Sequence, residues 1–167
     1  NSNWSRRRFI NTAVAGVAGA AVVPYLAGCK GSAAAAGDLR LGFIGLGRQA
    51  MFLMNGFIQI PGVKVLAGCD VYGIKRQRFE KRVSEFYTNA GTKFKVDTYE
   101  KYQDVLGRKD IDAVVIAIPD HSHAMVAIAA CKAGKDVYVE KPMTFTIKEG
   151  QELKKVVRET NRILGVG

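Results

Sequence analysis

Gly45-Leu46-Gly47-Arg48-Gln49-Ala50 has the spacing G-x-G-x-x-A, between a run that reads as a strand and one that reads as a helix. The chemistry this turn supports is diphosphate binding. The first glycine allows a tight turn, the second lets the backbone approach the anion, and the small third residue lets helix pack against strand. The N–H groups that open the helix then face the anion. Asp70 stands 25 residues after Gly45, at the end of the next apolar run. A carboxylate there accepts bonds from the adenosine ribose hydroxyls and repels a 2′-phosphate, which points to NAD over NADP. Lys75 and Arg76 soften that preference, since either is placed to meet a phosphate. The plainer accounts are an ordinary strand-to-helix turn for the glycines and a helix N-cap for Asp70.

Two further loops carry titratable groups. Pro119-Asp120-His121-Ser122-His123 holds both histidines of the chain. His-x-His suggests a metal, but no third nitrogen, no cysteine and no acidic partner except Asp120 stands at ligand spacing, so no metal is expected. The loop is expected to lie against a cofactor, with His123 opening the next helix and His121 at the surface or in a cap. Glu140-Lys141-Pro142 follows another short strand. In a partly desolvated pocket a lysine has a lowered pKa and can give or take a proton, and its cation polarises a hydroxyl or carbonyl. A solvated lysine is the plainer account. Cys69 and Cys131 are too far apart for a zinc pattern and read as small buried hydrophobes.

The elements that must position these groups alternate between strand and helix. Strands are predicted over Leu39–Ile44, Val63–Cys69, Phe94–Val96, Ala113–Ile118, Asp136–Val139 and Ile163–Val166. Helices are predicted over Gln49–Phe57, Tyr72–Tyr87, Tyr99–Leu106, Ala124–Ala133 and Thr146–Thr160. Ile74, Phe79, Val83 and Phe86 are candidate core positions of the second helix; Ile147, Leu153, Val156 and Val157 are those of the last. Thr146 and Glu149 have the spacing of a capping box. The uninterrupted apolar run Ala113–Ile118 suits a parallel strand buried on both faces. The pattern predicts an α/β fold, a Rossmann-like doubly wound parallel sheet with helices on both faces. Ligands in that topology bind where the strand order reverses.

The 167 residues are 48% hydrophobic and 24% charged, which excludes a disordered chain, a collagen-like repeat and a disulfide miniprotein. The net charge of +10 is partly an address. Arg6, Arg7 and Arg8 precede an uncharged Ala/Gly/Val-rich run, Pro24, and Leu26-Ala27-Gly28-Cys29. This order resembles a twin-arginine export signal ending in a lipobox, with residues 1–28 removed and Cys29 lipidated. A membrane anchor is the alternative. Residues 29–37 then form a flexible tether and 38–167 the nucleotide-binding domain. Without residues 1–28 the charge is +7, spread as lysines over several amphipathic helices, so nucleic acid is not an expected partner. The expected location is the periplasmic side, with membrane contact only through the signal or lipid.

Gly42 to Arg48, Cys69-Asp70, Ile118 to His123 and Tyr138 to Thr144 together resemble the Gfo/Idh/MocA family of oxidoreductases. The strand Asp112–Ile118 and Ala133 to Asp136 match as well, so the resemblance runs from Asp38 to Gly167. It implies NAD (NADP second) held by Gly45, Leu46, Gly47, Arg48, Gln49, Asp70, Ile118, Pro119, His123, Glu140 and Lys141, with Lys141 and His123 catalytic. It implies hydride transfer from a sugar or polyol whose hydroxyl Lys141 helps to deprotonate. Members carry a second α/β domain that holds most of the substrate pocket, a further catalytic group and the oligomer interface. That domain is expected to be absent here, leaving a fragment inactive alone. Export implies a tightly bound NAD recycled in each turnover. The alternatives are the related NAD-dependent glycosidases, against which Lys141 counts, and a catalytically inactive lipid-anchored sugar-binding protein.

Overall fold

Six short strands pair in parallel into one sheet, β1 (Leu39–Ile44), β2 (Val63–Cys69), β3 (Asp97–Tyr99), β4 (Ala113–Ile116), β5 (Asp136–Val139) and β6 (Leu164–Val166). Their order is β3-β2-β1-β4-β5-β6, so the sequence reverses direction between β1 and β4. The computed structural model describes residues 38–92 and 94–167. The expected signal at 1–28, the lipidation site Cys29 and the tether at 29–37 lie outside the described residues.

The helices are α1 (Arg48–Phe57), α2 (Gly73–Asn89), α3 (Tyr102–Leu106), α4 (His123–Lys132) and α5 (Ile147–Thr160), with a short 3-10 turn at Asp120–Ser122. Alternate strand residues point to opposite faces, and each face buries a separate core. Leu41, Phe43, Val65 and Val115 meet Met54, Phe79 and Val83 of α1 and α2. Ile44, Val114, Ile116 and Val139 meet Val126, Ala130, Leu153 and Val156 of α4 and α5. This is the two-faced burial expected of a doubly wound parallel sheet.

The register aligns Ile44 with Cys69 and with Ile116, and Ile116 with Val139. The loops that leave these four strands therefore open along one edge of the sheet. The opposite edge is held by polar contacts. The Arg40 guanidinium donates to Asp112 from Nε (2.9 Å) and Nη2 (2.7 Å), and the Arg40 N–H adds a third bond at 2.9 Å. These bonds hold the Asp112 carboxyl below its ordinary range. Lys135 is buried and donates to the carbonyls of Arg108 (2.5 Å) and Ile111 (2.8 Å), and burial lowers its pKa.

Several expectations need correction. The edge strand is Asp97–Tyr99, not Phe94–Val96; Val96 is buried as packing beside the sheet without pairing in it. The third helix starts at Tyr102, not Tyr99, and the fourth strand ends at Ile116, not Ile118. Ile74 and Ile147 are not core residues, being 73% and 84% exposed. Each stands nine residues from a buried position of its helix, Val83 and Val156. At about 100° per residue that is half a turn away. Tyr87, near the far end of α2, is buried instead, and its hydroxyl oxygen accepts the Val65 N–H at 2.8 Å.

Candidate functional site

The glycine turn is fixed by its neighbours. Gly45 has φ +86°, a conformation that favours glycine. A Cβ there would also strike the Ala117 carbonyl oxygen and come within 2.6 Å of the Ile118 side chain. Its N–H donates to the Cys69 carbonyl at 2.8 Å, and Ala117 N–H donates to the Ile44 carbonyl at 2.9 Å. Gly47 differs. Its φ of −71° suits any residue, and a Cβ would meet nothing within 4 Å. Gly47 is the N-cap of α1, and no side chain caps that helix. The first N–H groups of α1 are thus without a side-chain acceptor, beside space that a Cβ would enter. An anion fits this arrangement.

Asp70 is buried and braces the turn. One carboxylate oxygen accepts the Leu46 N–H at 2.9 Å; the other accepts the Tyr72 N–H at 3.0 Å. The second bond makes an Asx-type turn. Asp70 is not the cap of α2, whose N-cap is Tyr72 with no side-chain bond. The Lys75 ammonium lies 3.5 Å from Asp70 and 4.6 Å from the centre of the Tyr72 ring. Arg76 is committed to backbone carbonyls, donating to those of Asp70 (2.6 Å) and Val71 (3.2 Å). Arg78 donates to the Leu46 carbonyl at 2.8 Å.

The Lys141 loop is held from two sides. Glu140, buried at the exit of β5, accepts the Gln49 amide at 2.6 Å and the Lys141 N–H at 3.2 Å. His123, 1% exposed, places Nδ1 2.7 Å from the Pro142 carbonyl, so that nitrogen donates and carries the proton. Its Nε2 is buried with no protein partner. The Lys141–Pro142 bond is cis. His123 opens α4 as expected, yet it sits under the loop, and Lys141 itself is exposed. The desolvation expected for Lys141 is not supplied by the described residues. His121 is exposed.

A cleft of about 550 Å³ lies along the switch edge. It brings together Gly45, Gly47, Asp70, Ile118 and Pro119, and adds Tyr72, Lys75, Tyr102 and Met125. Leu46, Arg48, Gln49, His123, Glu140 and Lys141 are outside its lining. Leu46 contributes its backbone to Asp70, and Arg48 is exposed at the first position of α1. Sequence reasoning missed Tyr72 and Arg78. The spacing of Lys75 and Arg78, three residues apart on a helix that follows the acidic strand end, was a usable signal for Arg78. Cys69 also lines the cleft; burial, with the nearby Asp70 charge, pushes its thiol up to about 11. Among the described residues, no group of three or more His, Cys, Asp or Glu could hold a metal ion.

Residues 39–167 match the family model described as an oxidoreductase family with an NAD-binding Rossmann fold. A glycosyl hydrolase family 109 protein of Shewanella amazonensis is 33% identical over 94% of this chain and 37% of its own length. Another, from Shewanella sp. (strain ANA-3), is 34% identical over 75% of this chain and 27% of its own. Among solved structures, myo-inositol 2-dehydrogenase from Lactobacillus plantarum aligns with TM-score 0.67 and 30% identity, over 78% of this chain and 36% of that one. A 3-ketoreductase from Actinomadura kijaniata, in complex with NADP and TDP-benzene, gives TM-score 0.68 and 28% identity over 78% and 37%. The chain spans about a quarter to nearly two fifths of the length of these relatives.

Proposed function

The chain belongs to the Gfo/Idh/MocA oxidoreductase family, and on that premise we propose that it forms the NAD-binding part of an enzyme acting on a sugar, polyol or sugar derivative by hydride transfer. The observation that carries this reading is the shared edge. The strand reversal sets the glycine turn, Asp70 and the Glu140-Lys141-Pro142 loop at the ends of neighbouring strands, where ligands bind in open α/β sheets.

In this reading the α1 N-terminus and Gly47 receive the diphosphate, and Asp70 turns the adenosine ribose site toward NAD. Ile118 and Pro119 wall the cleft. A bound nicotinamide supplies the hydride acceptor. Lys141 holds or moves the proton of the substrate hydroxyl, with its backbone fixed by Glu140 and, through Pro142, by His123. A substrate domain closing over Lys141 would exclude water and supply the desolvation that its exposure now lacks. That domain would also carry the oligomer contacts.

The export pattern at residues 1–28 supports an enzyme on the periplasmic side, anchored through Cys29, with NAD held and recycled in each turnover. The glycosyl hydrolase relatives support a second reading, in which transient oxidation assists cleavage of a glycosidic bond. The test is a panel of sugars, polyols and aryl glycosides, followed by nicotinamide absorbance and by aglycone release. A converted sugar or polyol without aglycone marks the oxidoreductase, with recycled NAD if absorbance shows no net change and released NADH if it does; aglycone release without net absorbance change marks the glycosidase. Lys141→Ala should lower turnover by about 100-fold or more, and full turnover in that variant removes Lys141 from the reaction.

A further inference from the structure

We propose that Gln49 is a positioning residue that ties the diphosphate-binding turn to the Lys141 loop, so that filling one steadies the other. The inference rests on the dinucleotide reading above. Gln49 occupies the second position of α1, in the turn whose N–H groups have no side-chain cap. Its side chain crosses to Glu140, 91 residues away, with Nε2 to Oε1 at 2.6 Å. The other Glu140 oxygen accepts the Lys141 N–H at 3.2 Å, and the Glu140 N–H donates to the Ile116 carbonyl at 3.0 Å. A buried carboxylate with so few donors depends on each of them. Removing the Gln49 amide leaves one oxygen of Glu140 without its partner and frees the carboxylate to turn, carrying the Lys141 backbone with it. An anion that orders the first turn of α1 orders Gln49, hence Glu140, hence Lys141. Gln49 thus acts through Glu140, and its amide is spent on that carboxylate instead of on the cofactor.

The test uses ADP, which fills the adenosine and diphosphate part of the site and carries no nicotinamide to touch the Lys141 loop directly. Amide hydrogen exchange over residues 139–146 is measured in the full chain with and without saturating ADP. In the wild type ADP should slow exchange of the Lys141 amide about fivefold, the scale of one net hydrogen bond. Gln49→Ala keeps the backbone N–H groups of the turn, and at an ADP concentration raised until it is saturated it should show no slowing at Lys141. Glu140→Gln, whose amide can donate to the Gln49 carbonyl oxygen while its own oxygen still accepts the Lys141 N–H, adds no charge at the turn and should keep most of the slowing. ADP binding to the wild type without any change at Lys141 overturns the coupling and leaves the dinucleotide reading standing. Equal protection in Gln49→Ala overturns it as well. Failure of the wild type to bind ADP at all overturns both.

Discussion

Asp70 and Gly47 show how differently two residues of one motif are used. Asp70 is spent inward: it accepts the N–H groups of Leu46 and Tyr72 and faces the Lys75 ammonium. In the proposed dinucleotide site its negative charge would oppose a 2′-phosphate. Asp70→Asn keeps an acceptor for Leu46 and removes that repulsion, so NADPH should gain roughly tenfold in affinity relative to NADH, about 1.4 kcal/mol. Competitive titration of the two dinucleotides measures it, and an unchanged ratio would remove Asp70 from the selectivity. Much of this was legible in the sequence because the spacing of Gly45, Gly47 and Asp70 reflects a mechanical requirement. The Gln49–Glu140 bond was not: it joins two polar residues with no periodicity to connect them, and only the β1–β4–β5 order brings them together.

At the scale of elements, the capping of α5 is the clearest agreement between sequence and structure. Thr146 Oγ1 accepts the Glu149 N–H at 3.2 Å, and Glu149 returns a bond to the Thr146 N–H at 2.9 Å. Glu149 also accepts the Phe145 N–H at 2.8 Å, tying the helix start to the segment that follows the Lys141 loop. Thr146→Ala should cost about 1 kcal/mol of stability, read as a lower denaturant midpoint with unchanged slope. The elements that the sequence misplaced are the marginal ones. Phe94–Val96 has the apolar alternation of a strand, yet the ladder with β2 is made by Asp97–Tyr99. Burial of Val96 satisfies the pattern without pairing. Apolar pattern reports what is buried, and at a sheet edge burial and pairing separate. Ile74 and Ile147 fail for a related reason, since an apolar residue half a turn off the stripe looks like a core residue until the helix is placed.

The whole molecule divides its work between two edges of one sheet. The switch edge carries the glycine turn, Asp70 and the Lys141 loop, while the opposite edge carries ion pairs and the buried Lys135. The Arg40–Asp112 pair joins β1 to the loop before β4 there. Its sign with pH is definite: the Asp112 carboxyl is lowered from 3.8 by the Arg40 guanidinium. The stability it contributes is present above that ordinary value and lost as pH falls through the lowered one. Asp112→Asn should therefore flatten the acid limb of stability against pH, leaving neutral-pH losses small, because both side chains are partly exposed. Urea midpoints from pH 2 to 7 measure this, and an acid limb equal to that of the wild type would contradict it. The glycine at position 47 offers the most direct test of the central claim, that the switch edge holds a dinucleotide. Its backbone conformation suits any residue and a Cβ would meet nothing within 4 Å, so Gly47→Val should fold, losing about 1 kcal/mol for the poorer N-cap. Titration of NADH into the full chain, followed by nicotinamide fluorescence, should saturate at one site in the wild type and show at least tenfold weaker binding in Gly47→Val. No binding by the wild type, or equal binding by a stably folded Gly47→Val, would contradict the account.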